Sequence, residues 1–200
     1  IATTNKKIAK ASHLIITLGT AWVYRNNETA KIVGNCHKIP QKQFSKELLS
    51  VEEIVASLKN TCALIKSINP RVNIIFTVSP VRHLKDGFVE NMQSKAHLLT
   101  AIHQLIHKKE QFHYFPSFEI MLDDLRDYRF YNSDMLHPNE TAINYIWEQF
   151  QEVWMAKKTN SILKEVDTIQ RGLAHKPFNL NSNEHQKFLE NLQRKIEDLN

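Results

Sequence analysis

The order of elements in the sequence predicts an α/β fold: a three-layer α/β/α arrangement on a parallel sheet, with further helices appended at the C-terminal end. Three observations support this. Two apolar runs of strand length, residues 13–18 (HLIITL) and 72–78 (VNIIFTV), end at Gly19 and at Ser79-Pro80. They read as strands buried on both faces, as in a parallel sheet. Segments with apolar residues at helical spacing lie between and after them, giving the order strand, helix, strand, helix, strand, helix.

Each element has its own local signal. Residues 21–25 and 31–34 flank a polar turn and read as a small hairpin. Ser50-Val51-Glu52-Glu53 is a capping box, in which hydroxyl and carboxylate satisfy free N–H groups at a helix start. Val51, Ile54, Val55, Leu58, Cys62 and Ile65 then follow on one helical face, until Asn69-Pro70 stops the helix. Residues 89–108 read as a helix with Met92, Ala96, Leu99, Ile102 and Ile106 on its apolar stripe. Residues 112–115 form a short third strand, and Pro116 suits the first turn of a helix running to about Leu125. Asn139 can cap a helix to about Ala156, which Lys157-Lys158-Thr159-Asn160 interrupts, and a second helix runs to about Gly172. Ser182 caps a final amphipathic helix with Phe188, Leu189, Leu192, Ile196 and Leu199 on one side. That arm packs on the body of its own chain or mediates self-association. The expected division is an α/β domain over 1–156 and a helical extension over 157–200.

Composition narrows the function classes. The chain has 200 residues, 42% apolar and 24% charged, which suffices for a sizeable core. Net charge is +5, but the basic residues are dispersed among acids, which argues against a nucleic-acid partner. Cys36 and Cys62 stand far apart without a CxxC pattern, so neither a disulfide framework nor a zinc site is expected, and a reducing compartment, the cytoplasm, is favoured. No apolar run reaches the roughly 18 residues of a membrane span. Three strands make a thin sheet, the first opens the chain almost at once, and the chain begins at Ile1 rather than Met; a further strand upstream is therefore expected.

In open α/β sheets, sites form beyond the carboxyl ends of the strands. Three separate stretches arrive there: Gly19-Thr20-Ala21-Trp22, Ser79-Pro80-Val81-Arg82-His83, and Pro116-Ser117 with the loop holding Asp134 and His137. Asp134 and His137 lie three residues apart, before Pro138 and a helix start, where the helix dipole disfavours imidazolium and an acid stabilises it. A catalytic acid–base pair, a metal clip lacking a placed third ligand, and a structural turn all fit that spacing. Gly19 permits a tight turn or offers its N–H to an oxyanion. His37, Ser79, Arg82 and His83 are the candidate substrate-binding residues; Arg82 and His83 suit an anionic or hydroxyl-rich ligand. His103 and His107 have a metal-compatible spacing but read as surface residues, and Trp22, Trp147 and Trp154 read as packing.

The stretches LIITLGTAWVY, VGNCHKIP, IIFTVSPVRHLKDGFVENMQSKAHL and YFPSFEIMLDDLRDYRFYNSDMLHPNETAINYIW, followed by HKPFNLNSNEHQKFL, resemble the GSCFA family in content and order. That family's fold resembles the SGNH (GDSL-like) hydrolases. The resemblance implies a flavodoxin-like α/β/α fold and a serine ester hydrolase without cofactor or metal, acting on a small acyl ester such as an O-acetylated carbohydrate. It places the acid and base of a catalytic triad on Asp134 and His137. Two departures follow. The Gly-Ser-Cys-Phe-Ala stretch expected to carry the nucleophile does not occur in this sequence, which implies a nucleophile upstream of Ile1. The Gly-x-Asn of SGNH enzymes reads Gly19-Thr20-Ala21 here, leaving Gly19 and, as a substitute, Asn35 for the oxyanion. A non-catalytic module binding a glycan or acyl ligand is the competing expectation.

Overall fold

A computed structural model describes residues 2–34, 36, 38–107, 111–179 and 182–199. The chain divides into two compact units, Ile1–Ile146 and Trp147–Asn200. The first unit opens with helix α1 (Ala2–Lys10) and strand β1 (His13–Leu18). A separate antiparallel sheet follows, formed by β2 (Trp22–Asn26), β3 (Ile32–Val33) and β4 (Phe44–Leu48) in the order β3-β2-β4. Helix α2 (Val51–Ile68), strand β5 (Asn73–Val78), helix α3 (Phe88–Ile106), strand β6 (Phe112–Tyr114) and helix α4 (Ser117–Leu122) complete the α/β body. Helix α5 (Glu140–Trp154) continues into the second unit, which adds α6 (Asn160–Ala174) and α7 (Asn183–Leu199).

The main sheet is parallel in the order β1-β5-β6, as the alternation of elements predicts. β5 is central, and its apolar run is buried from Ile74 through Val78. Ile74, Phe76 and Val78 pack with Ile54, Val55, Leu58 and Cys62 of α2 and with Leu98, Ala101, Ile102 and Leu105 of α3. Burying one such side chain contributes about 1.5–3 kcal/mol, so this interface is the main stabilising layer. Alternate side chains leave the opposite face. There Thr77 Oγ1 meets Ser117 Oγ at 2.7 Å, joining α4 to the sheet.

The structure corrects three readings. β1 is not buried on both faces: its exposure alternates, and Ile15 is 50% exposed. It is an edge strand, paired only with β5 among the described residues, and the face that carries Ile15 is exposed. The expected hairpin exists as β2 and β3, but β4 joins it; its sequence FSKEL carries too few apolar residues to announce a strand. The buried face of α3 is also rotated from the expected stripe. Asn91, Ser94, Lys95, Leu98, Ala101, Ile102 and Leu105 are buried, whereas Met92 is 49% exposed. The cause is chemical: Asn91, Ser94 and Lys95 have hydrogen-bonding partners inside, described below, which periodicity in apolar residues does not register.

Local signals set the ends of the helices. Ser50 Oγ accepts from Glu53 N at 3.2 Å and the Glu53 carboxylate accepts from Ser50 N at 2.8 Å, completing the capping box. Asn139 Oδ1 accepts from Ala142 N to start α5, and Ser182 Oγ accepts from His185 N to start α7. In the second unit α7 lies on α6, with buried Leu192 against Gly172; a Cβ on that glycine would stand 2.6 Å from Leu192 Cδ1. Among the described residues no helix is long and apolar enough to cross a membrane.

Candidate active site

β1 and β5 end in register, Leu18 opposite Val78. Gly19 and Ser79 therefore emerge side by side, and Ser79 N donates to Leu18 O at 2.9 Å. The buried side chain of Lys95 reaches both strand ends. Its Nζ donates to Gly19 O and to Ser79 O, each at 2.7 Å. Burial pushes the Lys95 ammonium down to about 8. At the preceding residue, Ser94 Oγ accepts from Ala21 N at 2.7 Å and lies 3.0 Å from Thr20 Oγ1. Asn91 Oδ1 accepts from His83 N at 2.8 Å, and Trp22 Nε1 donates to Glu90 O at 3.2 Å. One face of α3 thus holds both loops at the carboxyl edge of the sheet.

The loop carrying Asp134 and His137 is closed on itself. Asn132 N donates to His137 O at 2.8 Å, Asn139 N donates to Phe130 O at 2.9 Å, and Met135 takes a left-handed φ of 59°. That turn lets one carboxylate oxygen, Asp134 Oδ1, accept from Leu136 N at 2.8 Å and from His137 N at 3.0 Å. The other, Oδ2, lies 2.7 Å from His137 Nδ1. The His137 amide, the Leu136 amide and the imidazole hold the Asp134 carboxyl down at about 2. The group is a carboxylate at neutral pH and can only accept, so Nδ1 carries a ring hydrogen and Nε2 is the ring nitrogen left facing outward from the pair. Both side chains are about half exposed, at 55% for His137 and 44% for Asp134. The imidazole is held in one orientation at the rim of the sheet.

Arg82 joins this loop to the strand ends. Its backbone N donates to Leu136 O at 3.1 Å and its Nη1 donates to Met135 O at 2.9 Å. The His83 ring lies over Gly19, where a Cβ would stand 3.6 Å from Nε2. Burial first, then the charge of Lys95, lowers the His83 pKa, so this imidazole is neutral at pH 7. Ser79 Oγ accepts from Val81 N at 3.2 Å. Gly19, Ser79, Arg82, His83, Asp134 and His137 are therefore gathered on one edge, whereas Asn35 and His37 lie outside the described residues. Ala21, at the position of the missing asparagine, is buried in the core. Among the described residues no three metal-ligating side chains converge. Sequence reasoning missed Asn91, Ser94 and Lys95; their spacing on a helix, continued by Leu98, Ala101 and Ile102, was the available signal.

No curated protein matches the chain. The family model described as GSCFA domain protein, C-terminal domain, matches residues 166–200. The model described as GSCFA family matches residues 1–150, well over half of the sequence. The chain therefore belongs to the GSCFA family.

Proposed function

We propose that this protein is a serine ester hydrolase of the SGNH type, in which His137 is the general base and Asp134 its orienting acid. The observation that carries the reading is the 2.7 Å contact between Asp134 Oδ2 and His137 Nδ1 at the carboxyl edge of a parallel sheet. His137 Nε2 takes the proton of a serine hydroxyl as that oxygen attacks the ester carbonyl. Asp134 stabilises the imidazolium that forms. The imidazolium then gives its proton to the departing alcohol oxygen, and water attacks the acyl-enzyme with His137 again as base. Oxyanion stabilisation falls to backbone N–H groups of the Gly19 loop, since Ala21 has no polar side chain. The attacking serine belongs to the Gly-Ser-Cys-Phe-Ala stretch for which the family is named, and the substrate is a small acyl ester, with carbohydrate O-acetyl groups as the implied class.

A second reading, a ligand-binding module on the same scaffold, is favoured by the buried Ala21 side chain, which removes one oxyanion donor. A fluorophosphonate probe on the intact protein, with the Gly-Ser-Cys-Phe-Ala stretch present, separates the two. A hydrolase is labelled on serine, and Asp134→Asn slows labelling by about 10²–10⁴-fold, the range for loss of acid–base assistance. Labelling of His137→Ala at the wild-type rate refutes the role of His137. No labelling, together with saturable ligand binding, favours the module.

A further inference from the structure

A cleft of about 270 Å³ opens between the loop after β5 and α4. Its lining contains Arg82 and Arg126 and no acidic side chain. Neither arginine forms an ion pair with a carboxylate among the described residues. The Arg82 guanidinium lies over three rings, with its centre 5.5 Å from Tyr131, 5.8 Å from Tyr128 and 5.9 Å from Phe88. These contacts and the bond to Met135 O fix the group in place, yet one side-chain hydrogen bond uses only one of its five N–H donors. Phe88 and Tyr128 also remain 69% and 62% exposed, an apolar surface that folding does not cover. A positioned cation in an aromatic wall, with no carboxylate at ion-pairing distance among the described residues, is complementary to a planar anion carried on an apolar body. The cleft is smaller than the roughly 300–1,000 Å³ typical of ligand pockets, which restricts the body to about one ring with a short arm.

We propose that this cleft binds a carboxylate attached to a single ring or short apolar chain. The carboxylate engages Arg82 and Arg126, and the apolar part lies against Phe88, Tyr128 and Phe118. Because Arg82 is hydrogen-bonded to Met135, next to Asp134, the cleft shares a wall with the acid–base loop. Resting on the hydrolase reading, its occupant is the acidic portion of the ester substrate.

The test is a ligand-observed NMR titration of the purified protein with 3-phenylpropionate and its neutral amide. The carboxylate binds about tenfold more tightly than the amide, a ratio worth one charge-assisted hydrogen bond. Arg82→Met and, independently, Arg126→Met bring the two ligands towards parity, while Tyr128→Ala weakens both. Arg126 is an exposed side chain, so its variant remains informative where the Arg82 variant misfolds. Equal affinity for both ligands, no saturable binding of either, or a carboxylate preference that survives Arg126→Met overturns the proposal. The titration is independent of the fluorophosphonate experiment. Labelling without carboxylate binding rejects the cleft alone, and carboxylate binding without labelling rejects the hydrolase alone.

Discussion

Replacing Lys95 with methionine keeps most of the side-chain volume and removes a cation that is 1% exposed. Two opposed effects follow. The carbonyls of Gly19 and Ser79 lose their 2.7 Å donor, and each buried acceptor left unmatched costs about 1–3 kcal/mol. Against this, burial lowers the lysine from its ordinary 10.5 to about 8. At about 1.4 kcal/mol per pKa unit, holding the charge in the fold at neutral pH costs about 3 kcal/mol, which the variant is spared. The variant is therefore only mildly destabilised near pH 7.5. The offset depends on pH with a definite sign. Between pH 8 and 10.5 the unfolded chain keeps this proton while the folded chain has released it, so raising pH favours the wild-type fold. The wild type gains about 2 kcal/mol from this group between pH 7.5 and 10, and the variant gains none. Urea unfolding of both proteins at the two pH values, followed by circular dichroism, reads the difference, and titrations common to both proteins cancel. A stability gap that is unchanged, or that narrows at pH 10, refutes the assignment of Lys95 as a buried cation bridging the two strand ends.

Two further substitutions test the elements that frame the site and the second unit. Gly87 has φ 112°, and a Cβ there would run into the Glu90 carboxylate. Gly87→Ala is expected to cost about 1–3 kcal/mol in thermal or urea unfolding, and a neutral result refutes the strain. Leu192→Ala removes the buried contact of α7 with Gly172 and is expected to cost about 2–5 kcal/mol. The loss shows as reduced amide-exchange protection within 183–199, and unchanged protection refutes the packing of α7 on α6.

Much of the architecture was legible because its causes are local or strongly periodic. β5 declares itself by a continuous apolar run, and α2 by a capping box that both ends of the hydrogen-bonding pair complete. The parallel order follows from alternation alone. β4 and α1 were invisible for the opposite reason: FSKEL and ATTNKKIAK bury little and owe their form to neighbours, β4 through pairing with β2. α3 shows a subtler limit. Reading apolar residues as the inward face put Met92 and Ala96 inside, whereas the structure buries Asn91, Ser94 and Lys95. A polar side chain faces inward when partners wait for it, and those of Lys95, the carbonyls of Gly19 and Ser79, lie 76 and 16 positions away in the chain. Contact between Asp134 and His137, by contrast, was foreseeable from four consecutive residues. The gathering of Arg82 beside them was legible only as a convergence of strand ends.

The turn at 134–137 satisfies its own acid. Every hydrogen bond described for Asp134 comes from the next three residues, two from amides and one from the ring. The contacts within the pair are thus local, while Arg82 ties the turn to the loop after β5. The turn therefore reports its own local chemistry and, taken alone, no activity. What such a turn can act on is set by the groups that distant strand ends place opposite the imidazole.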